Sequence, residues 1–406
     1  PSSAASDVYK RQMLLFSFVL FSCNEVRRIN DNGVCTIDLD NVQKKESVSF
    51  SSLFEAAGVI VLEMTDNSLL AKIDKIEFIG DSLYVLERGK GLYLFDEKGK
   101  FLRKIGDKGV GLGEYISPLD ISVDIENKKL YLLDSQTQTI LKYSANGDYE
   151  SSFKLKNEKM FSSRIQYYNG KIYTDLYTYE GADSKFLLSE VNMKDGKRTS
   201  FWLDAVQYNK GWNELFIANQ QPFISQYEGK PRFSQLFMDT IFAITKDDIQ
   251  PYIVLQSENF VTKDYLDSQK ETKKASKIFS NLNNTTKIYN ICNYLESDRY
   301  VYFNYYIRDN LYITFYDKLQ KSAYMTQNVV NDLLYVDDEG VQLFPNFISF
   351  DEKRAYSVEM NNDFSRNVFL KDIQDNRINR KVKGIDSFQG ISEDSNPVII
   401  YYEFKN

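Results

Sequence analysis

At 406 residues, with 57 acidic and 50 basic side chains and a formal net charge of −7, the chain can bury a large core but lacks the basic excess that binds a phosphate backbone. Hydrophobic residues make up 43% and aromatic residues 15% of it, which excludes global disorder and favours pleated sheet. No histidine occurs, so imidazole bases, Ser-His-Asp and Cys-His nucleophiles and histidine-ligated zinc are excluded, leaving the chemistry of carboxylates, Tyr, Lys and Arg.

In chain order, residues 1–12 read as a non-native leader, foreign in character to the apolar segment after them. Met13 to Cys23 then carries an apolar run, Leu14 to Phe21, too short to span a bilayer but suited to the core of an export signal. Its end, Leu20-Phe21-Ser22-Cys23, resembles the lipobox of bacterial lipoproteins, although Phe21 is a loose fit. That resemblance implies a signal peptide over 13–22 and a lipid on the Cys23 thiol. Residues 23–45, rich in Asn, Asp, Lys and Gln, read as a flexible tether, and 46–406 as the folded body. Of the other two cysteines, Cys292 reads as a small buried apolar residue; Cys35 and Cys292 can pair only if the fold brings them together.

The strand pattern is clearest from Gly80 to Asp134, where one unit occurs twice. Leu83-Tyr84-Val85-Leu86-Glu87 and Leu92-Tyr93-Leu94-Phe95-Asp96 end in a Lys98-Gly99 turn. Leu130-Tyr131-Leu132-Leu133-Asp134 and Ile140-Leu141-Lys142-Tyr143-Ser144 end in an Asn146-Gly147 turn. Repetition of a four-stranded unit predicts an all-β protein, a six-bladed β-propeller of antiparallel four-stranded sheets with short helical insertions. The six blades are counted from an aromatic flanked by apolar residues, at Tyr84, Tyr131, Tyr173, Phe242, Tyr302 and Tyr356. Wider spacing of the later markers leaves room for insertions, and 262–288 and 362–390 have helical character. Leu333 to Val336 reads as a strand followed by a hairpin turn at Asp337 to Gly340. Val59 to Leu62 and Val398 to Tyr402 are strong strands at opposite ends of the chain. If they share a blade, they close the ring.

Between the two clear repeats lies a connector with Gly106, Gly109, Gly111 and Gly113, followed by Tyr115 and Pro118. Glycine permits positive φ where the chain crosses between blades, and proline fixes entry to the next strand. This connector resembles the linker of NHL-type repeats. Together with the short lipoprotein signal, Ser51 to Phe54 leading into Val61-Leu62-Glu63, Phe237 to Phe242 and the terminal Asn396-Pro397-Val398-Ile399, it makes the chain similar to the six-bladed β-propeller lipoproteins of Bacteroidota. The resemblance implies an exported outer-membrane lipoprotein and carries no particular activity.

Two functions fit these features. The first is a non-enzymatic, monomeric binding or interaction module for protein or glycan, held to a membrane by lipid, needing no cofactor or metal and no nucleic acid. Trp202, Tyr208, Trp212 and Arg232 are its candidate binding surface. The alternative is a glycan hydrolase or lyase using paired carboxylates from Asp120, Asp124, Asp134, Asp175 and Asp239 near strand ends. Aspartate at strand ends is more often a turn former.

Overall fold

The computed structural model describes residues 25–26, 34–156, 160–178, 185–212, 223–227, 229–269, 275–337 and 346–405. Six small antiparallel sheets follow one another along the chain as blades 1 to 6, within residues 75–105, 118–154, 165–204, 223–256, 291–326 and 347–404. The first strand of each blade meets the inner strands of its neighbours, and that of blade 6 returns to Lys75–Ile79 of blade 1. The result is the six-bladed β-propeller that the repeats predict.

Both faces of a blade are buried against neighbours, which is why the strands read as continuous apolar runs rather than alternating ones. In Ser82–Glu87, Tyr84 and Leu86 pack towards blade 2, whereas Leu83 and Val85 pack towards blade 6. Each of the six interfaces between adjacent blades holds its own apolar cluster. Five of the six aromatic markers lie on the second strand of their blade. Phe242 lies instead on the third strand of blade 4, Thr240–Ile244, because the second, Lys230–Phe233, reads Lys-Pro-Arg-Phe and carries no apolar run.

The ring closes through chain ends. Phe54–Val61 is the outermost strand of blade 6 and pairs with Val398–Phe404, with Ile60 opposite Ile399 and Val59 opposite Ile400. The sequence reading assigns 23–45 to a flexible tether, and the structure corrects this over its described part. Cys35–Asp38 adds a parallel fifth strand to the outer edge of blade 4, and Gln43–Lys44 does the same on blade 5. Glu25–Val26 pairs with the outer strand of blade 3. An outer strand leaves a row of unpaired backbone groups, and the strap satisfies them. Pairing and burial both hold it, since Ile37 and Leu39 enter the apolar cluster between blades 4 and 5.

Strand direction sorts the connections between two faces of the ring. On one, the lower face, the chain turns from first to second and from third to fourth strands, always tightly, as at Gly80-Asp81 and Asn169-Gly170. On the other, the upper face, it runs from second to third strands and from blade to blade. All the long insertions emerge there, including the helices Lys263–Gln269, Ala275–Asn283 and Asp363–Gln374. The last begins with a reciprocal cap, Asn362 accepting from the Ser365 amide and the Ser365 side chain accepting from the Asn362 amide. Leu333 to Tyr335 is a turn rather than the expected strand; Tyr335 makes a single bridge to Ile378, and 338–340 lie outside the described residues.

The connector from blade 1 to blade 2 is built as its glycines suggest, at two of the four positions. Gly106 and Gly113 have φ of +61° and +74°, and a Cβ on Gly106 would sit 2.7 Å from the Gly113 carbonyl oxygen. Gly109 and Gly111 adopt no such φ but leave room for the Glu114 carboxylate, which accepts from the Gly111 amide at 2.8 Å. Pro118 opens the first strand of blade 2 opposite Asp134, a position where proline is tolerated.

Candidate binding face

The upper face gathers most of the apolar side chains left in solvent. Met64, Leu69, Val110, Leu112, Val206, Val336 and Phe364 are exposed on its connections, against Ile125 and Leu319 on the lower turns. Val110 and Leu112 project from the glycine connector, which is pinned by the Gly109 amide donating to the Tyr115 carbonyl and the Tyr115 amide donating to the Asp107 carbonyl. At 90% and 89% exposure, Val110 and Leu112 are the most exposed of these apolar side chains.

At the rim of blade 4, the strap and the strand ends enclose an open cup of about 950 Å³. Asp38, Asp40 and Asn41 of the strap line one side; Asp239, Gln256, Ser257, Glu258, Asn259 and Phe260 line the other. Asp40 accepts from the Ser257 hydroxyl and the Glu258 amide, both at 2.7 Å, so it ties strap to blade. The Asn41 side-chain amide donates to Asp38 at 2.8 Å and holds that carboxyl below the usual carboxylate range. Lys210 reaches Asp239 at 2.7 Å. The cup is thus an anionic, hydrogen-bonding surface with one aromatic edge, a composition suited to a polyol or a cationic group.

Nearer the axis, the inner strands of blades 1 to 3 hold a compact charged cluster. Lys75 lies 3.0 Å from Asp120 and 3.4 Å from Glu77, and donates to the Ile121 carbonyl at 2.6 Å. Burial pushes the Glu77 carboxyl up, against the pull of Lys75. Asp120 and Asp175 accept from consecutive amides, those of Ile165 and Arg164, each at 2.8 Å. Asp175 also accepts from the Ser163 amide and hydroxyl; burial still pushes its carboxyl up to about 6. Arg88, beside Arg164 and Asp120, is drawn down by burial. Cations and carboxylates alternate here, so the cluster ties three blades together.

A family model described as a domain of unknown function, DUF4934, matches residues 34–403. The chain belongs to the DUF4934 family. Among solved structures, a Bacteroides fragilis protein to which export is ascribed is similar over 92% of this chain and all of its own length, at 19% identity and a TM-score of 0.68. A DUF4221 member from Bacteroides vulgatus aligns over 87% of this chain and 97% of its own, at 10% identity and a TM-score of 0.48. No curated protein matches. The first of these structures shares the fold with this DUF4934 chain, and the family match begins at Val34, within the strap.

Within this family member, the candidate surface drawn from sequence is largely interior. Trp202 is buried between blades 3 and 4, and Tyr208 packs edge-on against Phe242 with ring centroids 5.0 Å apart. Trp212 packs against Phe237 at 5.6 Å, beside the blade 4 helical insertion. Arg232 is buried and lies 3.0 Å from Glu296 of blade 5, with its guanidinium over the Tyr252 ring. Glu296 also takes hydrogen bonds from Tyr294, Tyr252 and Lys318, so the group is an inter-blade lock rather than a contact surface. Aromatics in a propeller are needed between blades, which is where these go.

Among the described residues, each of the five aspartates of the hydrolase alternative is held by fixed partners. Asp124 takes the Asn127 amide and side chain, and Asp134 takes the Ile116, Ser117 and Gln136 amides, both as turn formers. Asp120 and Asp175 are occupied by fixed donors, and Asp239 by Lys210. Cys23 lies outside the described residues. Cys35 and Cys292 are free, both half-buried, and burial pushes the Cys292 thiol up to about 11. The strap residues of the cup escaped the sequence reading because their carboxylates matter only once the strap is laid against blade 4.

Proposed function

We propose that the protein is a lipid-anchored β-propeller of the bacterial cell envelope that binds protein or glycan on its upper face without catalysing a reaction. The observation that carries this reading is the asymmetry of the ring. Every long connection, the cup at blade 4 and the Val110–Leu112 loop share the upper face, while the lower face turns tightly. A scaffold that spends its chain length on one face is organised for recognition there. The lipobox resemblance at Cys23 and the fold shared with a protein to which export is ascribed support the envelope location.

The test compares wild type with two variants, Asp38→Asn with Glu258→Gln in the cup, and Val110→Ser with Leu112→Ser on the loop. Each is assayed on a glycan array and by cross-linking in envelope membranes. Binding by wild type that one variant loses, with an unchanged melting temperature, supports the reading. Equal behaviour of all three chains overturns it. Metabolic labelling with an alkyne fatty acid, lost in Cys23→Ser, tests the anchor separately.

A further inference from the structure

We propose that Glu359 and Asp372, with the hydroxyls of Tyr335 and Ser357, form a calcium site inside the interface between blades 5 and 6. Glu359 ends the second strand of blade 6, Arg354–Glu359, and is 4% exposed. Its carboxylate makes no hydrogen bond or ion pair among the described residues, which is an expensive condition for a buried charge. Register fixes its surroundings. Ala355, Ser357 and Glu359 face one side of the sheet, opposite Tyr402, Ile400 and Val398. That side packs on the cluster that contains Tyr335 and Phe369. Asp372 lies one helical turn beyond Phe369 on the helix Asp363–Gln374, and so reaches the same space.

Three further polar atoms here are buried without a hydrogen-bond partner: the Tyr335 hydroxyl, the Ser357 hydroxyl and Oδ2 of Asp372. Arg377 satisfies only the other oxygen of Asp372, at 2.8 Å. Buried polar atoms are nearly always paired, and several orphans together with an unpaired carboxylate define a missing partner. The donor set is all oxygen and carries two carboxylates, so the partner is a hard cation rather than an anion or a soft metal. No third carboxylate joins them among the described residues. A low ligand charge places the affinity in the weak range of extracellular calcium modules, with Kd roughly 10⁻⁴–10⁻³ M.

The experiment uses the full chain stripped with EGTA. Calorimetric titration with calcium is expected to show about one equivalent bound, and the thermal midpoint to rise with the logarithm of calcium concentration. Glu359→Gln keeps the shape but removes the charge, and should weaken binding at least about tenfold while the near-ultraviolet spectrum stays native. Ser357→Ala, which leaves both carboxylates, should weaken it less and serves if the first variant does not fold. Magnesium should bind more poorly, because it demands a tighter octahedron. A midpoint indifferent to calcium up to about 10 mM, or equal binding by Glu359→Gln, overturns the proposal. Indifference to calcium accompanied by proton uptake on folding assigns the missing charge to a proton instead, and also overturns it.

Discussion

Ile399 stands directly opposite Ile60, so Val398–Phe404 and the early strand Phe54–Val61 pair as the two outer strands of blade 6. Both isoleucines are buried between blades 6 and 1. The ring therefore has no covalent closure, and its integrity rests on this pairing.

Removal of residues 395–406 is predicted to abolish cooperative unfolding. Val398, Ile399, Ile400 and Tyr402 are all fully buried. At about 1.5–3 kcal/mol for each buried side chain, their loss approaches the whole stability of an ordinary domain, about 5–15 kcal/mol. Near-ultraviolet circular dichroism during heating reads the result; a native spectrum with an unchanged midpoint would refute this closure.

Arg232→Ala is predicted to destabilise the chain by about 3–5 kcal/mol, the cost of leaving one partner of a buried ion pair alone. Glu296 keeps Lys318, Tyr252 and Tyr294, which places the effect at the lower end. Urea unfolding measures it, and a double-mutant cycle with Glu296→Gln should show strong coupling. A loss below about 1 kcal/mol would mean that the arginine is solvated.

Stability is predicted to depend on the protonation of Glu359 in calcium-free buffer. Its carboxyl rises from 4.5 to about 8 on folding, so the folded state holds the proton more tightly. The associated stability is full below pH 4.5 and is lost as pH rises through about 8. Asp372, Arg377, Tyr335 and Tyr402 are the titratable groups around it. The difference in urea midpoint between wild type and Glu359→Gln, followed from pH 4 to pH 9, should therefore change steadily in favour of the variant; a flat difference would contradict the shift.

Gly106→Ala is predicted to cost about 2–3 kcal/mol, because it combines a left-handed backbone with a collision against Gly113. Gly80→Ala, at φ +57° but with open space around it, should cost about 1 kcal/mol. Chemical denaturation of the two side by side separates steric conflict from backbone strain, and equal losses would exclude the collision.

Architecture was legible from the sequence wherever a blade strand is buried on both faces, because Leu83-Tyr84-Val85-Leu86 and Leu130-Tyr131-Leu132-Leu133 are fixed by burial alone. Blade 4 was blurred because its second strand contains Pro231 and Arg232, whose charge meets Glu296 of the next blade. Site residues were the least legible. Trp202 and Arg232 carry the composition of contact residues, yet the same composition serves packing between blades. Conversely, Asp40 looks like a solvated turn residue until the strap brings it to Ser257 and Glu258.

The strap also sets a timetable. Cys35–Asp38 and Gln43–Lys44 are synthesised long before the blade edges on which they lie, and Phe54–Val61 must wait for the final strand of the chain. Contacts so distant in sequence make for slow assembly. The N-terminal segment therefore stays exposed as translation proceeds, and the wheel locks only once Val398–Phe404 is in place.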